Sequence, residues 1–221
     1  MEFVTVMWFF IFLIGFVLVI PIHFLSVEHK RLESKYGHER GKRVGEILGM
    51  TSGWGFFGFW IGMWIAPQPR FTIPILQDNL LVIPLLDITT LTIPIAHLLL
   101  SIVFVLPGAW LGITGVKETG LRAAETHRTD KIVVDGVYSL VRHPQYLGGV
   151  LSHAGIVFLL SSWYALLSTP LVLLLNYLIS WKEEVELVNE FGEEYSKYQK
   201  AVPMLIPWFR VSKEEDVSGQ T

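Results

Sequence analysis

The sequence predicts an all-α, polytopic membrane protein with about five transmembrane helices. The last two are expected to form a helical hairpin, followed by a cytoplasmic amphipathic helix. Three observations support this fold class. Hydrophobic residues make up 52% of the 221 residues, with a mean hydropathy of +0.48. These residues form separate long runs, as membrane spans do, and the Lys and Arg residues collect in alternate segments between the runs.

The first predicted span covers residues 4–25. It carries no formal charge and is long enough to cross about 30 Å of hydrocarbon at about 1.5 Å per residue. A cleaved signal peptide has Lys or Arg before its apolar core and small residues after it, whereas here Glu2 precedes the run and Pro21 lies near its end. We therefore expect this segment to remain as a membrane anchor.

The second predicted span, residues 47–65, contains two pairs of glycines, and in each pair the glycines are four residues apart. Such glycines let neighbouring helices approach closely, so we interpret the pattern as helix packing. A lipid-binding groove with tryptophan walls is the alternative. The residues concerned are Gly49, Gly53, Gly58 and Gly62 with Trp54, Trp60 and Trp64.

An outer loop at residues 67–92 is predicted to join the second and third spans. Ile-Pro recurs at 73–74, 83–84 and 93–94, and prolines at this spacing oppose a continuous helix. Thr and Ile alternate there, which favours a hairpin or a partly buried loop over 71–92. The third predicted span follows at 93–116.

The fourth and fifth predicted spans, residues 146–160 and 163–181, are separated only by Ser161 and Ser162. This predicts a helical hairpin whose two ends face one compartment. Pro144 suits the first turn of a helix, where its missing N–H is not needed, so His143 and Pro144 are expected to begin the fourth span. The free backbone N–H groups of that terminus attract anionic groups.

The helix of the fifth span is predicted to continue into the cytoplasm beyond Lys182. Gly192 weakens this extension, but the residues after it can restart a helix, which Pro203 and Pro207 then end. The extension is amphipathic. Its acidic face contains Glu183, Glu186 and Glu190, and its apolar face contains Leu187, Phe191 and Tyr195.

The charge distribution predicts the orientation of the chain. Of 17 Lys and Arg residues, six lie in 28–43, five in 117–142 and five from 182 onward, which leaves only Arg70 elsewhere. By the positive-inside rule, the N-terminus is outside and the C-terminus is cytoplasmic. We divide the chain into an N-terminal transmembrane region of three spans at 1–116, a region at 117–210 with the helical hairpin and the C-terminal helix, and a disordered tail at 211–221.

Composition also argues against several kinds of site. The net charge of −3 gives no reason to expect a nucleic-acid partner, and the absence of cysteine excludes thiolate chemistry. No two of the seven histidines have the helical spacing of a metal pair, so no metal site is expected. His97 and His153 lie inside predicted spans, where we expect hydrogen-bonded packing roles.

Five separated elements in the last ninety or so residues resemble the integral membrane methyltransferases, which include isoprenylcysteine carboxyl methyltransferase and the phospholipid methyltransferases. The elements occur in the family's order, which makes chance a poor explanation. They are Gly136-Val137-Tyr138; Arg142-His143-Pro144-x-Tyr146-x-Gly148; Glu183-Glu184; Phe191-Gly192-Glu193-Glu194-Tyr195-x-x-Tyr198; and Val202-Pro203-x-x-Ile206-Pro207.

The resemblance implies that S-adenosyl-L-methionine binds at the cytoplasmic face and methylates a lipophilic acceptor in or at the lipid bilayer. Candidate acceptors are a prenylated cysteine carboxylate, a phospholipid amine or a small thiol. No catalytic side chain is assigned, but Arg142 and Glu183 are candidates for positioning. The cofactor-binding positions carried over from the family are Ile132, Val133, Tyr138, His143, Pro144, Tyr146 and Glu183.

One departure from the resemblance concerns the acceptor. The carboxyl methyltransferases have an arginine four positions before the cofactor glutamate, where it holds the substrate carboxylate, and this chain has Ile179 there. Isoleucine makes no bidentate pair with a carboxylate. A prenylcysteine carboxylate is therefore a doubtful acceptor unless Arg142 replaces the missing arginine.

Two other functions remain as alternatives. Membrane sterol and steroid reductases, which use NADPH, also resemble the Arg-His-Pro-x-Tyr element, but they follow His-Pro with asparagine and the glycine with glutamate. Here these positions are Gln145 and Gly149. A transporter or scaffold is the non-enzymatic alternative, although the chain lacks the matching halves that transporters usually have.

Overall fold

The computed structural model describes residues 2–76, 78–85, 89–129 and 131–207. The predicted disordered tail at 211–221 lies outside them. Within these residues, three helices are long and apolar enough to cross a membrane. They are α1 (Glu2–Val27), α4 (Ile95–Thr119) and α7 (Trp163–Phe191).

Two further helices correspond to the other predicted spans. The helix α3 (His38–Ile65) begins within the basic segment, nine residues before the predicted second span, and α6 (Pro144–Leu160) is a shorter apolar helix of 17 residues. Five spans therefore remain a prediction. The short helices α2 (His29–Tyr36) and α5 (Leu121–Thr126) follow α1 and α4.

A β-hairpin lies between α3 and α4. The strands β1 (Leu80–Leu85) and β2 (Thr89–Pro94) pair antiparallel, with Val82 opposite Thr92. The connection before them is held against the turn between α6 and α7. The N–H of Phe71 donates to the Ser161 carbonyl at 3.0 Å, and the N–H of Trp163 donates to the Pro69 carbonyl at 3.0 Å.

The main core lies between α1, α3 and α7. Its fully buried members include Phe16, Met63 and Ile179. The ring centroids of Phe16 and Phe56 are 4.3 Å apart. The predicted glycine packing on α3 holds at Gly62, where a Cβ would lie 2.3 Å from the Phe12 ring. It does not hold at Gly53 or Gly58, where a Cβ would meet nothing within 4 Å.

Small residues also bring α4 and α6 together. A Cβ on Gly148 would lie 2.6 Å from the carbonyl oxygen of Gly108, and a Cβ on Gly108 would lie 2.8 Å from the carbonyl oxygen of Gly148. The two backbones therefore touch at this point. This packing sets the beginning of α6 beside the last turns of α4.

The two helices α6 and α7 run antiparallel from the turn at Ser161 and Ser162. His153 in the middle of α6 contacts Thr169 of α7, and Tyr146 near the start of α6 contacts Glu183. The chain then breaks at Gly192, whose φ is 59°, and continues as α8 (Glu193–Ala201). The beginning of α6 and the region around Gly192 thus lie at the end opposite the β-hairpin.

The two histidines within predicted spans are buried and hydrogen-bonded. The Nδ1 of His153 accepts hydrogen bonds from the indole N–H groups of Trp60 and Trp64, both at 2.9 Å. The Nε2 of His97 accepts the backbone N–H of Ile73 at 3.1 Å. Both contacts join separate elements, as a packing role requires.

Candidate cofactor site

The site is built around the first residues of α6. His143 is the N-cap residue and Pro144 is the first residue of the helix. The chain leading to them is paired with the segment after α8. The backbone N–H of Arg142 donates to the Pro203 carbonyl at 2.9 Å, and that of His143 donates to the Met204 carbonyl at 3.1 Å.

Arg142 is fully engaged with the protein itself. Its Nε and Nη2 atoms donate to the two carboxylate oxygens of Glu184 at 2.6 and 2.9 Å, and its Nη1 atom donates to the carbonyls of Gln199 and Val202. Both charged side chains are only 9% exposed. Arg142 therefore connects α7 to α8 and the segment after it.

The two adjacent glutamates have different surroundings. Glu184 also accepts a hydrogen bond from Gln199 at 3.0 Å and so belongs to the network around Arg142. Glu183 accepts a hydrogen bond from the Tyr146 hydroxyl and lies 3.1 Å from Nε2 of His23 on α1. Glu183, unlike Glu184, lines the cavity at this end of the helices.

His143 lies between these carboxylates. Its Nε2 is 3.2 Å from Glu184 and its Nδ1 is 3.5 Å from Glu183. Burial by itself lowers the pKa of His143, but the hydrogen bonds and charges of the two glutamates outweigh burial and raise the pKa above its usual value. A protonated His143 balances part of the negative charge that the two glutamates bring together.

Tyr138 forms another part of the wall, in a single 3₁₀ turn at Gly136–Ser139. Its hydroxyl accepts a hydrogen bond from the Gln145 amide at 3.0 Å. Its carbonyl accepts a hydrogen bond from the Tyr198 hydroxyl at 2.6 Å. The turn before α6 is thus attached both to α6 and to α8.

The resulting cavity, together with the open solvent space at its mouth, has an empty volume of about 910 Å³. Six of the seven predicted cofactor-binding residues line it: Ile132, Val133, Tyr138, His143, Tyr146 and Glu183. Arg142 lines it as well. Pro144 is instead fully buried at the start of α6, so its place in the structure is that of a helix initiator beneath the cavity.

The cavity has further lining residues that were not among the predicted site residues. His29 comes from α2, Glu186 and Glu190 come from α7, and His127, Arg128 and Lys131 follow α5. Glu186 and Glu190 were predicted to lie on the same helix face as Glu183, and this shared face is a signal that could have identified them. The basic residues and histidines come from segments without a motif, and only the packing of α1, α5 and α7 brings them here.

The structure also brings together three side chains of the kinds that bind metal ions. His23, His127 and Glu183 offer ligand atoms that all lie within 4.8 Å of one another. These residues are about a hundred and about fifty-six positions apart in the chain, so a search for closely spaced histidines could not have found them. The expected absence of a metal site remains an untested prediction.

The fold is that of an integral membrane protein with a cavity at one end of its long helices. Residues 95–194 match the family model described as Phospholipid methyltransferase. The match includes the turn before α6, both helices of the α6–α7 pair and the first residues of α8. No solved structure matches the chain.

Relatives with two different named activities are similar to this region. The Protein-S-isoprenylcysteine O-methyltransferase of Schizosaccharomyces pombe is 36% identical over 93 residues, which are 38% of this chain and 36% of that protein. The corresponding Xenopus laevis protein is 36% identical over 38% of this chain and 30% of its own length. The Methanethiol S-methyltransferase of Pseudomonas deceptionensis is 38% identical over 34% of this chain and 28% of its own. The similarity therefore spans about a third of each relative.

Proposed function

We propose that this chain is an S-adenosylmethionine-dependent membrane methyltransferase whose cofactor occupies the cavity beside Glu183. The observation that carries the proposal is the contact between Tyr146 and Glu183. It brings the two motifs that resemble the methyltransferases together on one wall of the cavity. The family match of residues 95–194 supports the same reaction class.

The charges of the cavity suit the proposed donor, which carries an ammonium, a sulfonium and a carboxylate. Glu183, Glu186 and Glu190 form an acidic row along α7, and Lys131 supplies positive charge elsewhere on the wall. Opposite charges attract more strongly beside a low-dielectric wall than in water. The cationic groups of the donor would therefore face α7, and its carboxylate would face the segment after α5.

The remaining lining residues suit the uncharged parts of the donor. Ile132 and Val133 supply an apolar surface, and the rings of Tyr138 and Tyr146 supply flat faces. Methyl transfer from a sulfonium requires no covalent intermediate with the protein. Positioning of donor and acceptor is worth about 7 to 11 kcal/mol in well-oriented reactions. We therefore assign these residues to binding and orientation.

We further propose that the acceptor has no carboxylate at its reacting end. Ile179 is 2% exposed within the apolar core, and Arg142 is already paired with Glu184. Neither residue offers a free cation one turn from Glu183. A lipophilic thiol is an acceptor that needs no such cation, and one group of relatives is named for methanethiol S-methylation.

Binding of labelled S-adenosylmethionine to the purified full chain tests the donor assignment. We expect Glu183→Gln to weaken binding about tenfold or more, because charged hydrogen bonds contribute about 1.5–3 kcal/mol. The matched control is Glu194→Gln, which removes the same charge from an exposed position on α8. Equal binding by the wild type and the Glu183 variant would contradict the proposal, and stabilisation by NADPH instead would favour the reductase alternative.

A further inference from the structure

His23, His127 and Glu183 form a compact cluster where three elements meet. His23 belongs to α1, His127 follows α5, and Glu183 belongs to α7. The rings of the two histidines are 4.2 Å apart between centroids, and Nε2 of His23 is 3.1 Å from Oε1 of Glu183. Two imidazoles and one carboxylate are a common ligand set for zinc.

One nitrogen of the cluster lacks a hydrogen bond. Nε2 of His23 is close to Glu183, but the contact does not have hydrogen-bond geometry, and this atom is buried without a partner among the described residues. The His23 side chain is only 7% exposed. Leaving a buried polar atom unpaired costs about 1–3 kcal/mol, so an unpaired nitrogen needs an explanation. A cation between His23 and Glu183 would satisfy both.

The surroundings of His127 favour the form that binds metal. The Ser26 hydroxyl donates its only proton to the His23 carbonyl at 2.7 Å. The Ser26 oxygen must therefore be the acceptor in its 3.1 Å contact with His127, and Nδ1–H of His127 is the donor. This arrangement leaves Nε2 of His127 without a proton. Ligand histidines usually have their second ring nitrogen held by such a neighbour. Tyr146 likewise supports Glu183 from outside the cluster.

We propose that His23, His127 and Glu183 bind a divalent transition-metal ion of the zinc type, and that this ion competes with the methyl donor for Glu183. Both His127 and Glu183 line the cavity, which gives the ion an entry path and a water for its fourth position. A bound dication would offset the charge of Glu183 and repel the donor's ammonium and sulfonium. The competition, but not the metal site, rests on the proposed function.

Metal binding is measured first, in the absence of any donor. The full chain is purified with a histidine-free affinity tag, stripped with a chelator and titrated with Zn²⁺ against a chromophoric chelator. Parallel titration with Co²⁺ reports coordination geometry through its visible absorption. We expect His23→Asn and His127→Asn each to raise the Kd for Zn²⁺ about tenfold or more.

His38→Asn is the control, because His38 lies on α3 with its side chain 71% exposed, outside both the cavity and the cluster. Its Kd for Zn²⁺ should equal that of the wild type. All variants are compared by size-exclusion chromatography, so that a misfolded variant is recognised and replaced by the corresponding glutamine substitution. The metal site is overturned if the wild type does not bind Zn²⁺, or if the two cluster variants bind it as well as the control does.

The competition is then measured with labelled S-adenosylmethionine. Added Zn²⁺ should raise the apparent Kd of the donor for the wild type and for His38→Asn, and should have a much smaller effect on His23→Asn. Unchanged donor affinity in the presence of bound Zn²⁺ would overturn the competition. If the donor does not bind even without metal, the proposed function fails, whereas the Zn²⁺ titration still decides the metal site.

Discussion

Arg142 and Glu184 form a buried, bidentate ion pair that joins the residue before the α6 N-cap to α7. Two nitrogens of Arg142 donate to the two oxygens of Glu184, at 2.6 and 2.9 Å. The same guanidinium donates to the carbonyl of Gln199 at the end of α8. The pair therefore connects α7 to α8 beside the cavity, and we expect Arg142 to position this part of the site.

Removal of one partner of the Arg142–Glu184 pair should lower the free energy of unfolding more than removal of a surface charge. Arg142→Ala leaves Glu184 buried and without its main partner, which costs about 3–5 kcal/mol for a buried pair. Arg142→Lys should recover only part of this loss, because lysine cannot form the forked contact. Chemical unfolding in detergent measures the free energy of unfolding of each variant. Arg31→Ala is the control, because its pair with Glu28 involves an Arg31 side chain that is 71% exposed; a comparable loss in both variants would contradict the assignment.

Tyr146 should contribute to donor binding through its hydroxyl. The Tyr146→Phe variant keeps the ring but removes the hydrogen bond to Glu183, so we expect donor affinity to fall about tenfold with little change in folding. Equilibrium binding of labelled donor measures the effect. Tyr177→Phe removes a hydroxyl from an exposed position on α7 and should bind the donor normally. Unchanged affinity in the Tyr146 variant would show that this hydroxyl does not support the site.

How much of this arrangement the sequence predicts depends on how far apart the residues are in the chain. Tyr146 and Glu183 were expected to lie close together, because a two-residue turn joins the two apolar helices. The ends of the helices away from this turn therefore face the same compartment. His23 and His127 reach Glu183 only through the packing of α1 and of the segment after α5, which no local pattern encodes. The separate roles of Glu183 and Glu184 likewise depend on which way each side chain turns.

The close approach of α4 and α6 should depend on Gly108 and Gly148. Either glycine changed to alanine would place a Cβ less than 3 Å from the backbone of the opposite helix, and such overpacking costs about 1–3 kcal/mol. We therefore expect Gly108→Ala to lower the unfolding free energy in detergent and, because this contact positions the start of α6, to weaken donor binding.

The control for this prediction lies one turn further along α4. A Cβ on Gly112 would meet nothing within 4 Å, so Gly112→Ala should be neutral or slightly stabilising in the helix. Similar losses at both glycines would indicate that general helix effects, rather than the contact with Gly148, set the stability.

The orientation of the chain predicts opposite accessibility for two engineered thiols. Since the sequence has no cysteine, a single introduced cysteine reports its own position. Lys35→Cys on α2 should react with a membrane-impermeant maleimide only after cells are permeabilised, because the positive-inside rule places that segment in the cytoplasm. Asp78→Cys should react in intact cells. Both side chains are exposed, so reversed labelling would mean that the orientation is wrong.

The acceptor proposal predicts a preference between two compounds that differ only in their head group. An alkanethiol and the carboxylic acid of equal chain length present the same tail to the membrane. We expect methylation of the thiol with a kcat/KM at least about tenfold higher, since one lost charged contact of about 1.4 kcal/mol already gives that ratio. Neither buried Ile179 nor paired Arg142 can hold the carboxylate of the acid. Transfer of labelled methyl groups, resolved by mass spectrometry, measures both rates, with Glu183→Gln as the blank for donor-dependent transfer. Equal or faster methylation of the acid would require a carboxylate-binding cation at the acceptor site and would refute this acceptor class.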